Sequence, residues 1–408
     1  MQKNYVAPAA SSLDTGTFER QPNADYRARR DKLAANLKGG VLVLFAAIEG
    51  ERGFRQDNDF YYLTGWLEAG AALVISEQKQ ILYLPGQNES QEKWTGPKLT
   101  AESADIDKIT GFDTVHALDE VRDDLVAILP SSRVAIYTVP GSVEIQWLQR
   151  ANAFPTYTSF APAASLTTGL RVIKDAGELA LLRKAASATA EGLKAAAQAI
   201  KPGVTENEIA SIIEFAYRSR GCQRSSFPPI VASGLNSTTL HYTEDWGTMQ
   251  DGDIVVMDVG GEYSMYAGDV TRTLPVNGTF TPRQREIYDI VLGAHDAAAA
   301  AFKVNVSTIG RASANSLHQV AYDYINTHGK DLHGNPLGPY FLHGTSHFVG
   351  LDVHDVGNSS EPLKPGAVFT IEPGIYIPKE RIGVRIEDTY AVKEDGTLEC
   401  LSCSVPKA

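Results

Sequence analysis

Two aspartates in the second half of the sequence are spaced so that a hairpin would bring them together. Asp258 ends the apolar run of residues 252–260, and Asp269 follows it. In a regular hairpin with its turn centred on Tyr263 and Ser264, these two aspartates lie opposite one another. Directly opposed side chains have Cβ atoms about 5 Å apart, so two negative charges there are unfavourable unless a cation neutralises them. The pair therefore predicts a divalent-cation site.

A second pair of acids repeats this arrangement. Residues 366–374 match residues 252–260 in the placement of two glycines, an apolar run and an acid after that run. The acid here is Glu372, and Glu387 follows it downstream. A regular hairpin with its turn centred on Lys379 and Glu380 puts these glutamates opposite one another. Four separate solvated turn acids are the alternative interpretation. Two matched pairs on equivalent hairpins favour a site for two cations instead.

A histidine cluster could add a nitrogen ligand. His343, His347 and His354, three of the nine histidines, lie within the segment HGTSHFVGLDVHD. Because Gly344 and Gly350 disfavour a helix and no glutamate follows His343, this is not the helical H-E-x-x-H motif, and a strand and loop are predicted. Taken alone, such a cluster is just as typical of a structural role. Beside four carboxylates, however, one imidazole becomes a candidate ligand, and an oxygen-rich set with a single nitrogen suits Mn²⁺.

Long helices are predicted to carry these segments in a domain that spans residues 169–408. Residues 176–200 are rich in Ala and Leu with helical spacing, and Thr205 with Glu208 forms a capping box that begins the next helix. A further helix begins at Thr281, with Pro282 at its first position. Together with the matched hairpins, these helices predict an α+β domain with an internal pseudo-two-fold repeat.

The first part of the chain has a different pattern. Residues 1–23 are mainly polar and small and predict a flexible arm. Residues 24–168 alternate helical stretches with short apolar runs such as GGVLVLFAA, AALVIS, QILYLP and RVAIYTV. This alternation predicts an α/β domain that precedes the domain with the acid pairs.

Composition limits the classes of partner and location. The 408 residues carry a net charge of −12, which argues against nucleic acid or an anionic membrane as the main partner. No apolar run reaches the roughly 18 residues of a membrane span, and no secretory signal is visible, so a cytoplasmic location is predicted. Cys222, Cys400 and Cys403 are predicted to be reduced thiols, with no metal or redox role for the C-x-x-C pair.

The second domain resembles the pita-bread (creatinase/aminopeptidase-like) metallopeptidases, which include aminopeptidase P, prolidase and methionine aminopeptidase. The motif HGTSHFVGLDVHD and the ordered set D…D…H…E…E carry this resemblance, and GFRQDNDFYYLTGW at residues 53–66 resembles the amino-terminal domain of aminopeptidase P and prolidase. The resemblance implies metal-dependent hydrolysis of Xaa-Pro bonds in proline-containing peptides, with release of the N-terminal residue. It further implies two divalent ions per subunit, Mn²⁺ with Zn²⁺ or Co²⁺ as alternatives, and a homodimer or homotetramer.

The resemblance also implies a role for individual residues. Glu372 would accept a proton from a water activated by the metals, and His354 would hydrogen-bond the oxyanion that forms from the scissile carbonyl. His241 would act near the leaving nitrogen, and Arg385 would orient a ligand carboxylate. His343 would contact substrate or have a structural role. The implied metal ligands are Asp258, Asp269, His347, Glu372 and Glu387, of which Asp269 and Glu387 would contact both ions.

Alternatives within the same fold differ in activity. A creatinase-like enzyme without metal, or a non-catalytic binding protein, normally lacks part of the five-residue set, which is complete here. Methionine aminopeptidase lacks the additional first domain, and no G-x-S-x-G supports a serine hydrolase. Prolidase, which is restricted to dipeptides, is the remaining alternative, although Ser346 in HGTSH is closer to aminopeptidase P. A dipeptidase would close its site with loops of the first domain, for which Arg52 and Arg55 are candidates.

Overall fold

Contacts within the chain divide the computed structural model into two compact units, Met1–Leu170 and Arg171–Ala408. The structure describes residues 18–50, 53–87, 89–129 and 133–407. Residues 1–17 of the predicted arm and Arg52 therefore lie outside the described residues. The sequence-based boundaries at residues 23 and 168 stay predictions.

The described part of the first unit contains a mixed sheet with the strand order β4-β3-β2-β1-β5-β6. Strand β2 runs antiparallel to β1 and β3, whereas the remaining neighbours pair in parallel. Strands β1, β2 and β3 are buried along nearly their whole length, which explains their continuous apolar runs. The strands are β1 (Val41–Phe45), β2 (Ala72–Ile75), β3 (Gln80–Leu84), β4 (Thr114–Ala117), β5 (Val134–Thr138) and β6 (Thr158–Pro162).

Helices alternate with these strands along the chain, so the predicted α/β class of this region is confirmed. Side-chain caps fix two of the helix starts: the Asp57 carboxylate accepts from the backbone of Phe60, and the Ser142 hydroxyl accepts from that of Ile145. The helices are α1 (Asn23–Ala34), α2 (Asn58–Thr64), α3 (Glu89–Thr95), α4 (Ile106–Thr110), α5 (Val121–Ile128), α6 (Val143–Arg150) and α7 (Ala164–Arg171).

Two pairs of helices organise the second unit. The capping box of Thr205 with Glu208 is present, as is that of Thr281 with Gln284, so both predicted helix starts are confirmed. Within the part of the chain that the structure describes, no helix combines the length and the apolar character that crossing a membrane requires. The helices are α8 (Ala176–Ala199), α9 (Glu206–Arg218), α10 (Pro282–Ala301) and α11 (Leu317–His328).

A group of strands follows each pair of helices, and this confirms the predicted internal repeat. The amino-terminal group contains β7 (Arg224–Ser225), β8 (Ile230–Ser233), β9 (Ile254–Val259), β10 (Gly261–Tyr263), β11 (Tyr266–Ala267) and β12 (Val270–Pro275). The carboxyl-terminal group contains β13 (Val368–Ile371), β14 (Gly374–Ile377), β15 (Ile382–Arg385), β16 (Asp388–Val392) and β17 (Leu398–Cys400). Helices α10 and α11 pack their apolar faces on the second group and form a continuous core with it.

The register of the first hairpin differs from the prediction. Strands β9 and β12 pair so that Asp258 faces Thr271 rather than Asp269. The turn is centred on Ser264 and Met265, one residue later than predicted, and both have positive φ, 51° and 74°. Two successive residues in this conformation match the twist of a tight hairpin. Because side chains alternate with a period of two, the resulting shift of two positions leaves Asp258 and Asp269 on the same face.

The register of the second hairpin agrees with the prediction. Ile371 faces Asp388 on one side of Glu372, and Gly374 faces Arg385 on the other side. Both ladders share one register, so Glu372 lies opposite Glu387.

The prediction of three reduced cysteines was wrong for two of them. Cys400 and Cys403 form a disulfide, with Cα atoms 5.6 Å apart. The bend after β17 brings these two Cα atoms within bonding range, and the spacing alone did not reveal this geometry. Cys222 is a free, buried thiol, and burial raises its pKa to about 12.

Candidate metal centre

One cavity in the second unit collects every residue that the sequence proposed for chemistry. Its volume is about 500 Å³, and both hairpins and the histidine segment contribute to its wall. The chemical roles of these residues stay predictions, but all of them line this one cavity. The proposed residues that line the cavity are His241, Asp258, Asp269, His343, His347, His354, Glu372, Arg385 and Glu387.

The two hairpins meet directly beside this cavity. The backbone N–H of Glu387 donates to the carbonyl of Thr271 at 3.1 Å, which joins the second hairpin to the first. Between Asp258 and Asp269 the first hairpin bends at Gly260, where a Cβ atom would lie only 1.9 Å from the carbonyl oxygen of Gly268. Glycine is therefore required at position 260, where the two strands of the hairpin approach closely.

The histidine segment runs in extended form beside β13, rather than as a helix, as predicted. The backbone N–H of Thr370 donates to the carbonyl of His347 at 3.0 Å, and that of Glu372 donates to the carbonyl of Thr345 at 2.8 Å. These two bonds place the His347 ring next to the Glu372 carboxylate, with Nε2 and Oε1 3.3 Å apart.

Four of the five proposed ligands lie close together around the His347 ring, and the fifth, Asp258, lines the same cavity. His347 Nε2 lies 3.3 Å from Asp269 Oδ2 and 4.0 Å from Glu387 Oε1. One ligand atom from each of these three residues lies within 4.8 Å of the other two. Metal-to-ligand bonds of about 2.0–2.2 Å are compatible with these separations. Among the described residues, none hydrogen-bonds the buried Oδ1 atom of Asp258, which leaves this oxygen available as a ligand.

The electrostatics of the cluster indicate missing positive charge. Burial raises the pKa of Asp269 to about 6 and that of Glu372 to about 7, and neighbouring carboxylates add to both shifts. Burial and the same neighbours raise the pKa of Glu387 well above its ordinary value. Burial alone would lower the pKa of His347, but the bond to Asp269 and the charge of Glu372 raise it to about 9. A divalent ion would supply the charge that these groups favour, so the residues fit a metal.

Arg385 connects the cluster to a tyrosine that the sequence analysis missed. Its Nη2 donates to Asp258 Oδ2 at 2.7 Å, and its Nη1 donates to the hydroxyl of Tyr376 at 2.7 Å. The same hydroxyl lies 2.8 Å from His343 Nε2. Burial, reinforced by the charge of Arg385, lowers the pKa of His343 to about 3, so this ring is neutral. Tyr376 carries no motif of its own, and only its place in β14 after Glu372 could have identified it.

Two buried threonines hold glutamates of the cluster and were also missed. The hydroxyl of Thr271 donates to Glu387 Oε2 at 2.7 Å, and that of Thr370 donates to Glu372 Oε1 at 3.3 Å. Thr271 lies two residues after Asp269, and Thr370 lies two residues before Glu372. Strand alternation places residues two apart on one face, and this periodicity is the signal that could have revealed them.

The remaining histidines and an apolar wall complete the cavity. The ring of His354 packs against that of His347, with centroids 4.3 Å apart, and burial together with the charge of His347 lowers its pKa. His241 is exposed and lies in the segment that follows the 3₁₀ turn Gly234–Thr238. An apolar ring on a substrate could pack against the wall residues, which are Phe227, Pro228, Ile230, Leu240 and Val353.

A larger cavity in the first unit lacks this chemistry. It measures about 830 Å³ and lies at the carboxyl ends of strands β1, β3 and β4. Its described lining is mainly apolar, with the carboxylates Glu102, Asp119 and Glu144, and includes no histidine. The smaller cavity of the second unit is therefore the candidate site.

Two family models match the chain. Residues 180–394 match metallopeptidase family M24, and residues 26–137 match the amino-terminal domain of aminopeptidase P. The first match includes all nine proposed site residues. The second lies wholly within the first unit.

Individual relatives match over nearly the full length. Xaa-Pro aminopeptidase of Escherichia coli is 33% identical over 426 residues, which cover 94% of this chain and 95% of the relative. The low-pH form of E. coli aminopeptidase P superposes with a TM-score of 0.85 at 31% identity, over 96% of this chain and 97% of that chain. Zinc-substituted E. coli aminopeptidase P in complex with product gives 0.84 at 31% identity, with the same coverage.

Proposed function

The chain belongs to metallopeptidase family M24 and is a metal-dependent Xaa-Pro aminopeptidase, and we propose that the nine cavity residues carry out its hydrolysis with two divalent ions. The observation that supports this proposal is the convergence of four carboxylates and one imidazole on one cavity, where the buried Oδ1 atom of Asp258 has no hydrogen-bond partner among the described residues. Such a set is unfavourable without cations and favourable with them.

The metal ligands in this proposal come from both halves of the repeat. Asp258 and Asp269 belong to the first hairpin, Glu372 and Glu387 belong to the second, and His347 precedes the second. When bound, divalent ions lower the pKa of a water so that it can act as a nucleophile at neutral pH. The chain's own residues then have three tasks, which are to accept a proton, to stabilise the oxyanion and to hold the leaving nitrogen.

Glu372 accepts the proton in this scheme. Its Oε1 accepts from Thr370, whereas its Oε2 lies 3.6 Å from the neutral ring of His343, so Oε2 is the atom that receives a proton from the attacking water.

His354 and His241 act on the substrate. Each lines the cavity from a different segment, so a bound peptide contacts both of them. His354 donates a hydrogen bond to the carbonyl oxygen as it becomes negative, and His241 positions or protonates the leaving nitrogen of proline. The prolyl nitrogen is a tertiary amide without an N–H, so the apolar wall packs against the ring instead of offering an acceptor.

The finer details of cofactor, assembly and location belong to this proposal as well. Mn²⁺ is the proposed metal because oxygen ligands predominate, with Zn²⁺ and Co²⁺ as alternatives. We also propose a homodimer or homotetramer and a cytoplasmic location, and neither nucleic acid nor membrane is a proposed partner.

The test is a cleavage assay on three peptides. The protein is dialysed against a chelator and assayed with Ala-Pro-Ala, Ala-Pro and Ala-Ala-Ala, before and after addition of Mn²⁺, Zn²⁺ or Co²⁺. We expect metal-dependent release of alanine from Ala-Pro-Ala and no comparable cleavage of Ala-Ala-Ala. Hydrolysis of Ala-Pro alone, with Ala-Pro-Ala inert at equal concentration, would replace the aminopeptidase with a dipeptidase. Equal activity with and without metal would refute the proposed mechanism.

A further inference from the structure

Glu206, in the first turn of α9, is a fully buried carboxylate held by hydrogen bonds alone. Its Oε1 accepts from the backbone N–H and the hydroxyl of Ser233, both at 2.7 Å, and from the Asn236 amide at 3.0 Å. Its Oε2 accepts from the Tyr242 hydroxyl at 2.8 Å and the Gly247 N–H at 2.6 Å. No lysine, arginine or histidine of the described ranges forms an ion pair with it. A buried charge is tolerated only where such donors replace water.

All of these donors belong to one segment, residues 233–247, which begins with the last residue of β8 and leads towards β9, the strand that contains Asp258. The Oε1 atom of Glu206 contacts the beginning of this segment, and its Oε2 atom contacts the end. One carboxylate therefore clamps both ends of a segment whose middle contains His241.

The position of the His241 ring depends on this clamp, because the ring has no hydrogen bonds of its own to the described residues. The ring of His343 does have such bonds. The ring of His343 is fixed directly, with Nε2 2.8 Å from the Tyr376 hydroxyl and Nδ1 2.8 Å from the carbonyl of Gly344. The His241 ring is exposed, and none of the described residues hydrogen-bonds it. The backbone of residues 233–247 is therefore what sets its position.

A second acid supports the same segment from the other side. The Asp245 carboxylate accepts from the backbone N–H of Val231 in β8 at 3.1 Å. Neighbouring Ile230 faces Asp258 in the sheet and lines the cavity. The segment is thus tied both to α9 and to the strand beside the proposed metal ligands.

We propose that Glu206 is a positioning residue for peptide hydrolysis, which holds His241 at the cavity by clamping residues 233–247. This inference rests on the proposed function, because it assumes that His241 acts on the substrate. In Glu206→Gln, an NH₂ group replaces one carboxylate oxygen and cannot accept a hydrogen bond from donors such as the Gly247 N–H. The clamp therefore loses an acceptor without a large change in side-chain volume. Small displacements of a catalytic group lower rates strongly, so we expect kcat/KM for Ala-Pro-Ala to fall on the order of 10- to 100-fold.

A double-mutant cycle on the metal-loaded enzyme tests this route of action. In a His241→Ala background, Glu206→Gln should lower kcat/KM by no more than about twofold, because the group that it positions is already absent. In a His354→Ala background, the full factor should persist. The same full factor in all three backgrounds would show a general structural defect and overturn the proposal.

A second measurement does not need catalytic activity. Hydrogen exchange of the Ser233 and Gly247 amides should accelerate in Glu206→Gln and stay unchanged in Glu208→Gln. Glu208 is the matched control, because it lies in the same helical turn but is exposed, and within the described ranges its carboxylate hydrogen-bonds Thr205 alone. Unchanged exchange in Glu206→Gln would overturn the clamp. If exchange accelerates while the wild-type chain cleaves no Xaa-Pro bond, the clamp stands and the proposed function fails.

A milder variant covers the case in which Glu206→Gln does not fold. Tyr242→Phe removes one donor at the Oε2 end and keeps the buried charge and its other donors. We expect a smaller loss in kcat/KM, a few-fold, that again disappears in the His241→Ala background. A loss that persists in that background would contradict the clamp.

Discussion

The two hairpins that meet at the cavity carry their acids in different geometries. In the first, Asp258 and Asp269 are offset by two positions, and Asp258 is bound by Arg385 of the second hairpin at 2.7 Å. In the second, Glu372 lies opposite Glu387, and Glu387 is bound by Thr271 of the first hairpin at 2.7 Å. Each hairpin thus holds an acid of the other. The site therefore belongs to the junction between the hairpins rather than to either hairpin alone.

We expect the largest loss of activity from a substitution in the aspartate pair of the first hairpin. In Asp269→Asn, one negative ligand is lost at the point where His347 and Glu387 converge, so we expect the activity to fall at least about 10³-fold. Metal analysis after dialysis should find fewer than two ions per chain. Asp251→Asn is the control, since Asp251 lies just before β9, is exposed, and among the described residues its carboxylate hydrogen-bonds only Asn277. Two tightly held ions in Asp269→Asn would contradict the ligand assignment of the first hairpin.

The histidine segment contacts both hairpins: it pairs with β13, and the Ala267 N–H of the first hairpin donates to the carbonyl of Gly350 at 2.8 Å. His354 tests what this segment adds to the site. His354→Ala should lower kcat on the order of 10²- to 10³-fold while the metal content stays unchanged, as expected for the loss of one oxyanion donor. Steady-state kinetics with Ala-Pro-Ala and metal analysis of the same sample measure both quantities. His328→Ala, an exposed histidine at the end of α11, is the control. A near-normal kcat would show that the His354 ring is structural.

The contact of Thr271 with Glu387 tests the junction directly. Thr271→Val keeps the volume of the side chain and removes the hydroxyl that holds Glu387 Oε2, so we expect metal affinity to fall about 10- to 100-fold. Titration of the apoprotein with Mn²⁺ in a calorimeter measures this change. In the matched control Thr273→Val, on the same buried strand face, the lost hydroxyl hydrogen-bonds the backbone of Arg385 and no carboxylate of the described chain. Equal losses in both variants would mean that burial, not the carboxylate contact, matters.

The ion pairs that join the histidine segment to the residues just before α8 are expected to have the smallest effect on the metal site. Asp355, next to His354, pairs with Arg171 at 2.5 Å and with Lys174 at 3.0 Å, just before α8. Lys174→Met leaves Arg171 in place, so we expect a loss of about 1–3 kcal/mol in the free energy of unfolding at pH 7 and unchanged metal affinity. Urea unfolding measures the loss.

The pH dependence of this variant gives a further check. Burial raises the pKa of Asp355, but the charges of Lys174 and Arg171 outweigh burial and hold it below its ordinary value. A depressed carboxyl pKa stabilises the fold above the unfolded pKa of about 3.9, and this contribution is lost as the pH falls through the folded value. The difference between wild type and Lys174→Met should therefore shrink below about pH 4. A difference that grows in acid would contradict this ion pair.

The grouping of the acid pairs at one cavity could be predicted from the sequence because their pattern repeats over short distances along the chain. Apolar strands that end in acids are unusual, and two such strands in matched segments indicate a shared partner. The second hairpin also followed the simple register, so Glu372 and Glu387 were correctly opposed. The first did not, because its turn places Ser264 and Met265 at positive φ without the glycine or asparagine that normally signals this conformation.

The residues that hold the ligands could not be predicted, for a different physical reason. Thr271 and Glu387 are 116 positions apart, and Glu206 is up to 41 positions from its donors, so no local pattern records these contacts. Threonine is common in strands and glutamate is common in a first helical turn, so neither residue type is informative alone. Only the packed structure shows that Thr271 bonds Glu387 and that Glu206 bonds residues 233–247.

The most direct test of the junction between the hairpins is an anomalous diffraction measurement on crystals of the wild-type chain soaked with Mn²⁺. We expect two manganese peaks per chain, each in contact with ligands from both hairpins, among Asp258, Asp269, His347, Glu372 and Glu387. Peaks that contact the acids of only one hairpin, or no peak in this cavity at saturating Mn²⁺, would contradict this expectation.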